Sequence, residues 1–120
     1  MPWKSSKKPR KQRSYRIRAP LHIKQKFMHS HLSNELRKKN GMRSIGLRKG
    51  DRVKVARGVF RNHVGKVERI DLKKARVFIS GIELNKKDGA KKTAFVDPSN
   101  IIITELYLDD KLRQRRVKAK

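Results

Sequence analysis

The sequence contains no cysteine, which excludes disulfide bonds and zinc sites built on thiolates. No apolar run approaches the ~18 residues that a membrane-spanning helix needs. The N-terminus also lacks the apolar core of a signal peptide. We therefore expect a soluble, cytoplasmic protein.

Acidic residues are scarce as well. Asp and Glu number 10 against 35 Lys and Arg, which gives a net charge of +25 and a pI near 11.4. A compact chain with this charge repels itself, so the charge indicates an acidic partner that neutralises it. Nucleic acid is the leading candidate, and an anionic membrane surface is the weaker one.

The charge is unevenly distributed along the chain. Residues 1–49 carry 16 Lys and Arg but one acid, whereas residues 50–104 carry 13 basic and 6 acidic residues. Apolar residues make up only 35% of the chain, which fits one small domain with appendages. We divide the chain into a basic arm (1–19), a helical extension and linker (20–49), a barrel (50–104) and a basic tail (105–120).

The arm has no sustained helical or strand periodicity, and it holds eight basic residues and no acid. Such a segment is expected to be disordered alone in water. It is either a solvated tail or an arm that becomes ordered on nucleic acid. The second interpretation is favoured because Trp3 and Tyr15 lie among the basic residues, where their rings could stack on exposed bases.

Residues 20–40 predict a helix. Pro20 suits a first-turn position, and apolar residues recur at intervals of four or five from Ile23 to Leu36, which forms a narrow stripe. Because Ser33 is a good N-cap, an alternative is a break into two short helices. The second would end at Asn40-Gly41.

Residues 50–104 have the patterns of strands. Val53 and Val55 alternate with basic residues, as in a half-buried strand, while Val67 and Ile70 are out of step by one, which predicts a bend or a bulge. Five short strands are predicted, at residues 51–57, 66–71, 76–80, 93–96 and 101–104. The resulting expectation is a mainly β fold, a small closed barrel without exposed edges. The last segment, Glu105–Lys120, predicts a short helical tail.

The segment GVFRNHVGKV, residues 58–67, resembles a phosphate-binding loop only superficially. Six residues separate its glycines instead of four, and Val67 replaces the Ser or Thr that binds magnesium. A strand also follows it, whereas a phosphate loop opens a helix. Nucleotide hydrolysis is therefore excluded, and the segment is a hairpin loop.

The sequence does not indicate a metal site, a cofactor or an enzyme. The four histidines, at positions 22, 29, 31 and 63, form no helical pair with a carboxylate companion. The acids of the barrel are more simply explained as counter-charges than as paired catalytic groups. The remaining function class is a binding protein, in which the loop side chains Arg57, Arg61, His63 and Lys66 contact phosphate. The alternative is that the loop is a plain hairpin turn with solvated charges.

The segment KGDRVKVARGVFRNHVGKVERID, residues 49–71, resembles the KOW motif at the start of an SH3-like barrel. The flanking segments PLHIKQKFMHSHLSNELRKKNGMRSIGLRKGD and DPSNIIITELYLDDK extend the resemblance. They are similar to the archaeal and eukaryotic form of the large-subunit ribosomal protein family numbered twenty-four, over roughly residues 15–116. The resemblance implies a structural protein that binds large-subunit ribosomal RNA early in assembly, near the mouth of the polypeptide exit tunnel. It also implies neighbouring ribosomal proteins as partners and leaves contacts with nascent chains or exit-site factors open.

In the motif loop, Gly58 and Gly65 match the family, but the frequent Lys-Gly pair is here Arg61-Asn62. Asn tolerates the left-handed backbone region best among non-glycine residues, so we expect the loop backbone to be retained. The predicted RNA-binding residues are Lys4, Lys7, Lys8, Arg10, Lys11, Arg13, Tyr15, Arg16, Arg18, Arg37, Lys38, Lys39, Arg43, Arg57, Arg61, Asn62, His63, Lys66, Lys73, Lys74, Arg115 and Arg116.

Two other functions fit part of the sequence. A transcription elongation factor could use a KOW domain to contact polymerase, but residues 1–49 are too short and too basic for the α/β domain that normally precedes it. An architectural DNA-binding protein would fit the charge but not the pattern of helix followed by strands.

Overall fold

The computed structural model describes residues 6–118, so the predicted contacts of Trp3 and Lys4 lie outside the described residues. The described part forms four α-helices and seven strands. The helices are α1 (Pro9–Arg18), α2 (Leu21–Phe27), α3 (Asn34–Asn40) and α4 (Lys111–Lys118). The strands are β1 (His29–Leu32), β2 (Ser44–Gly46), β3 (Arg52–Val55), β4 (Val64–Asp71), β5 (Arg76–Asn85), β6 (Lys91–Val96) and β7 (Ile101–Glu105).

All seven strands join one sheet in the order β2-β1-β7-β3-β4-β5-β6. Strands β1 and β7 run parallel, while the other neighbours are antiparallel. The mainly β fold is thus confirmed, but the predicted closed barrel is wrong, because β2 and β6 are free edges of an open sheet. Strand β7 pairs with β3 on one side and β1 on the other, which leaves it no edge on which β6 could close the sheet.

The core lies on one face of this sheet. Val53 and Val55 are buried while Arg52 and Lys54 between them are exposed, which confirms the alternation predicted for β3. Burying a side chain of this size stabilises the fold by about 1.5–3 kcal/mol. The same cluster includes Leu32 and other residues that precede position 50, so the N-terminal half contributes to the core as well as to the charge.

Two irregularities bend the sheet. The register of β4 against β5 shifts between Val67 and Arg69, which confirms the predicted bulge. The pairing of β5 with β6 shifts near Gly81, whose φ is +82°. This bend lets β5 continue to Asn85 with Ile82 buried. The prediction that this strand ends at residue 80 is therefore wrong.

The segment 20–40 is not one helix. Helices α2 and α3 flank β1, in which Ser30 and Leu32 are buried. Ser30 donates a hydrogen bond to the Pro98 carbonyl (2.7 Å), so tertiary pairing overrides the helical pattern. The predicted break at Ser33 is confirmed, because its hydroxyl accepts from the Leu36 N–H. Gly41 ends α3 with a φ of 65°.

The ends of the chain also hold helices. The arm, expected to lack regular structure, contains α1, whereas the predicted C-terminal helix is confirmed as α4. In the described part of the chain, no helix has both the length and the apolar character needed to cross a membrane.

Candidate nucleic-acid interface

Helix α1 presents cations on every side. It contains no acidic and no buried residue, and Pro9 occupies its first turn, where a missing N–H is tolerated. The predicted contacts Lys7, Lys8, Arg10, Lys11, Arg13, Arg16 and Arg18 are all exposed, while Tyr15 is half-buried. Arg16 lies 5.4 Å from the centre of the Phe27 ring and so links α1 to α2. Cations three or four residues apart on one helix, such as Arg10 and Arg13, repel each other and destabilise the isolated helix. A bound polyanion would relieve that repulsion.

The basic cluster at the end of α3 divides into an anchor and two open charges. The Nε of Arg37 donates to the Leu32 carbonyl (3.0 Å), and its Nη2 lies 3.2 Å from Nδ1 of His31. Arg37 therefore holds α3 against β1. Lys38 and Lys39 are exposed at the helix C-terminus, as is Arg43 beyond it.

The loop between β3 and β4 has the backbone that was expected. Gly58 has a φ of 101° and Asn62 a φ of 70°, so asparagine does occupy the left-handed region. The Asn62 N–H donates to the Val55 carbonyl at 2.8 Å, which closes the hairpin. The side chains of Arg57 and Arg61 are exposed on this fixed turn.

The base of the loop is tied to β5. His63 Nε2 lies 2.9 Å from the Ser80 carbonyl oxygen. A Cβ on Gly65 would stand 2.8 Å from that same oxygen. Gly65 has no positive φ, so its backbone conformation does not by itself require glycine. The glycine is needed because β5 packs directly against it.

The turn after β4 is held from two sides. Asp71 accepts the Lys74 N–H at 3.3 Å, and the buried Lys24 of α2 donates from Nζ to the Lys73 carbonyl at 3.1 Å. The side chains of Lys73 and Lys74 are left exposed. Nearer the loop, Lys66 is also exposed, and its backbone N–H donates to the Ser80 hydroxyl at 3.1 Å.

Sequence reasoning missed a buried ion pair. Arg113 of α4 binds Asp51 through two hydrogen bonds of 2.6 Å each, with the two side chains only 3% and 0% exposed. Arg113 also donates to the carbonyls of Gly46 and Tyr107. The Arg48 N–H donates to the same carboxylate. The only sequence signal was an arginine within a short apolar pattern, which did not distinguish it from its exposed neighbours Arg115 and Arg116.

A pair of stacked arginines was also missed. On the solvent side of the sheet, Arg69 lies 4.1 Å from the centre of the Phe78 ring, and Arg76 lies 3.9 Å from that of Phe95. Phe78 and Phe95 are cross-strand partners. The four residues form a cationic and aromatic surface, exposed at Arg69 and Phe95 and half-buried at Arg76 and Phe78, that only the register of β4, β5 and β6 assembles.

The candidate contacts thus occupy several separate surfaces: α1, the end of α3, the β3–β4 loop, the turn after β4 and α4. Such a distribution fits a partner that is itself large and anionic. Among residues 6–118, no group of His, Asp and Glu side chains is arranged to hold a metal ion.

Comparison with known proteins gives a consistent result. A sequence model of the ribosomal proteins L26 (eukaryotic) and L24p (archaeal) matches residues 6–120. The large ribosomal subunit protein uL24 of Methanosphaera stadtmanae is 45% identical over 115 residues, which cover 96% of this chain and 98% of that protein. The proteins of that name from Korarchaeum cryptofilum (45% identical; 96% and 88% covered) and Methanothrix thermoacetophila (46% identical; 92% and 95% covered) are similar over comparable spans.

Proposed function

The chain belongs to the family of eukaryotic L26 and archaeal L24p ribosomal proteins, structural constituents of the large ribosomal subunit and not enzymes, and we propose that it acts by binding ribosomal RNA. The observation that carries the proposal is α1, a helix without a buried residue or an acid. Its cations have no role in the core, so phosphate is the partner that their chemistry fits.

In this proposal each segment of the chain has its own role in RNA binding. Residues 1–19 neutralise phosphates as a strap, and the exposed cations near the end of α3 add to them. Residues 50–104 fit a defined RNA shape through the β3–β4 loop and the turn after β4. The strands β7-β3-β4-β5-β6, with the glycine-bearing loop between β3 and β4, support a KOW-type, SH3-like unit within the larger open sheet. Residues 105–120 complete the interface from α4.

The resemblance further implies a place in the subunit. We propose that the protein joins the large subunit early in its assembly, near the mouth of the polypeptide exit tunnel. There it would touch neighbouring ribosomal proteins, with nascent chains and exit-site factors within reach. The runner-up, a KOW-containing elongation factor, predicts co-purification with RNA polymerase instead.

The test is the salt dependence of binding to purified large-subunit ribosomal RNA. Contact with ~6–10 phosphates should weaken binding by about 10³–10⁵-fold between 50 and 200 mM salt. The double variant Lys38→Gln/Lys39→Gln should reduce the slope by about one for each lost phosphate contact. The matched control Lys86→Gln/Lys87→Gln, in the β5–β6 turn, should leave it unchanged. A slope near zero for the wild-type chain would refute the proposal.

A further inference from the structure

A cleft of about 840 Å³ lies between α2, the end of β2 with the residues that follow it, the end of β4, and α4. Its lining includes one predicted RNA contact, Arg116, but the cleft itself is formed by elements distant in sequence. The buried Asp51–Arg113 pair and the hydrogen bond from Arg113 to the Gly46 carbonyl hold α4 beside β2.

The rim of the cleft is cationic. Lys26, Lys49 and Arg116 line it and are exposed, and none of them takes part in an ion pair within the described residues. Arg48 differs because it is paired with Asp110 at 2.5 Å. The unpaired rim charges give the cleft a positive potential that favours an anionic occupant.

The floor of the cleft is apolar, which a site for phosphate alone would not need. Ile45 and Leu47 form part of it and are buried, while Leu112 remains 69% exposed on α4 although it lines the same space. The ring of Tyr107 packs against Gly50 and lines the cleft, with 46% of its surface exposed. An apolar floor below cations suits a ligand that has a flat unsaturated part beside an anionic one.

The wall also contains a group suited to hydrogen bonding. The pKa of His29 lies below its usual value because of partial burial and the positive charge of Arg116. The lowered pKa favours the neutral ring, in which one nitrogen donates and the other accepts. Such a ring can bond to a base edge or a ribose hydroxyl inside a cationic site.

We propose that this cleft receives one unpaired nucleotide of the bound RNA, with its base over the apolar floor and its phosphates at the cationic rim. The inference rests on the proposed function, because it names what one part of the RNA does. Paired RNA presents phosphates and groove edges but keeps its bases stacked inside the helix, so only an extruded base can reach the floor. The charge of the rim and of the chain favours RNA over an acidic peptide, the other ligand with anionic and apolar parts.

The experiment compares two labelled RNA hairpins by fluorescence anisotropy at one ionic strength. One contains a single bulged adenosine, and the other has an abasic ribose at that position, so that charge and backbone are the same. The full chain should bind the bulged hairpin about tenfold more tightly, as stacking of one base allows. Gly46→Leu should remove this preference, because Gly46 lines the cleft and a Cβ there meets only His29 at 3.7 Å, so the leucine side chain occupies space that the base would take. Thr93→Leu, which adds a leucine at an exposed position of β6, should keep it.

A second measurement on the wild-type chain does not depend on the folding of a variant. The methyl resonances of Ile45, Leu47 and Leu112 should shift with the bulged hairpin and not with the abasic one. Leu84, exposed on β5 and not part of the cleft, should shift with neither. Equal affinities for the two hairpins would overturn the inference while leaving the proposed function intact. The inference would also be overturned if the preference for the bulged hairpin survived in Gly46→Leu and these methyl resonances did not shift. The same holds if an acidic peptide shifted these resonances and the bulged hairpin did not. Failure to bind any RNA would overturn both proposals.

Discussion

Arg113 shows how a residue of a basic tail can become part of the core. It lies three residues from Arg116, which is exposed, yet its guanidinium is buried against Asp51 and two backbone carbonyls. Two parallel hydrogen bonds between arginine and carboxylate are strong and directional. The pair therefore fixes the C-terminal segment on the sheet, and its contribution is structural.

Removing one partner of this pair should be costly. Arg113→Met leaves the Asp51 carboxylate buried without its cation, and we expect the free energy of unfolding to fall by about 3–5 kcal/mol. Chemical denaturation followed by circular dichroism measures this loss. The control is Arg115→Met, two positions away and exposed, which should change stability by less than about 0.5 kcal/mol. Equal effects of the two substitutions would contradict the structural role.

Gly65 illustrates a glycine required by packing. Gly65→Ala places a methyl group 2.8 Å from the Ser80 carbonyl oxygen, a backbone atom that cannot move alone. We expect a destabilisation of about 1–3 kcal/mol, typical of overpacking, measured by thermal unfolding. Gly46→Ala is the matched control, because a Cβ there makes only ordinary contacts of 3.7 and 3.8 Å with His29. A Gly65→Ala variant as stable as the control would contradict this, because it would show that the β5 backbone at Ser80 can move to accommodate the methyl group.

At the scale of elements, the helices differ in the contacts that attach them to the rest of the fold. Helix α4 is fixed by a buried arginine, α3 by its capping residues and by Arg37, and α2 by Lys24 on the turn after β4. Helix α1 has no buried residue. Arg16 of this helix contacts the Phe27 ring of α2, and such exposed contacts are worth about 0.5–1 kcal/mol. The sheet should therefore fold without it.

Deletion of residues 1–18 tests this separation. The truncated chain should keep its sheet and unfold cooperatively, because none of the described residues that are removed, 6–18, is buried, while its affinity for large-subunit ribosomal RNA falls with the eight lost charges. Circular dichroism and filter binding measure the two properties side by side. A truncated chain that unfolds would show that the arm is structural, and one that binds RNA unchanged would remove it from the interface.

At the scale of the whole molecule, net charge opposes folding and favours binding. A charge of +25 on 120 residues destabilises the compact state through self-repulsion. The open sheet adds two edges, and edge β6 begins with two exposed residues, Lys91 and Lys92, which discourage pairing with another chain. Bound RNA would relieve this repulsion between like charges.

Salt should therefore act in opposite directions on the free and the bound protein. Raising the ionic strength screens the repulsion, so the melting temperature of the free chain should rise. The stabilisation that bound RNA adds through mass action should shrink, because salt weakens the complex. Thermal unfolding of both forms across a salt series checks this. A free chain that is destabilised by screening salt would contradict the account.

The sequence alone determined the properties that depend on a local residue pattern or on the total charge of the chain. Net charge pointed to a polyanionic partner, alternation located β3, the phase shift at Val67 located the bulge, and the left-handed tolerance of asparagine explained Asn62. Tertiary structure alone decided the open sheet, the parallel pairing of β1 with β7, the burial of Arg113 and the reason for Gly65. Each of these depends on contacts between residues far apart in the chain, where the register of two strands or the approach of a helix selects one outcome from several that the local sequence permits equally.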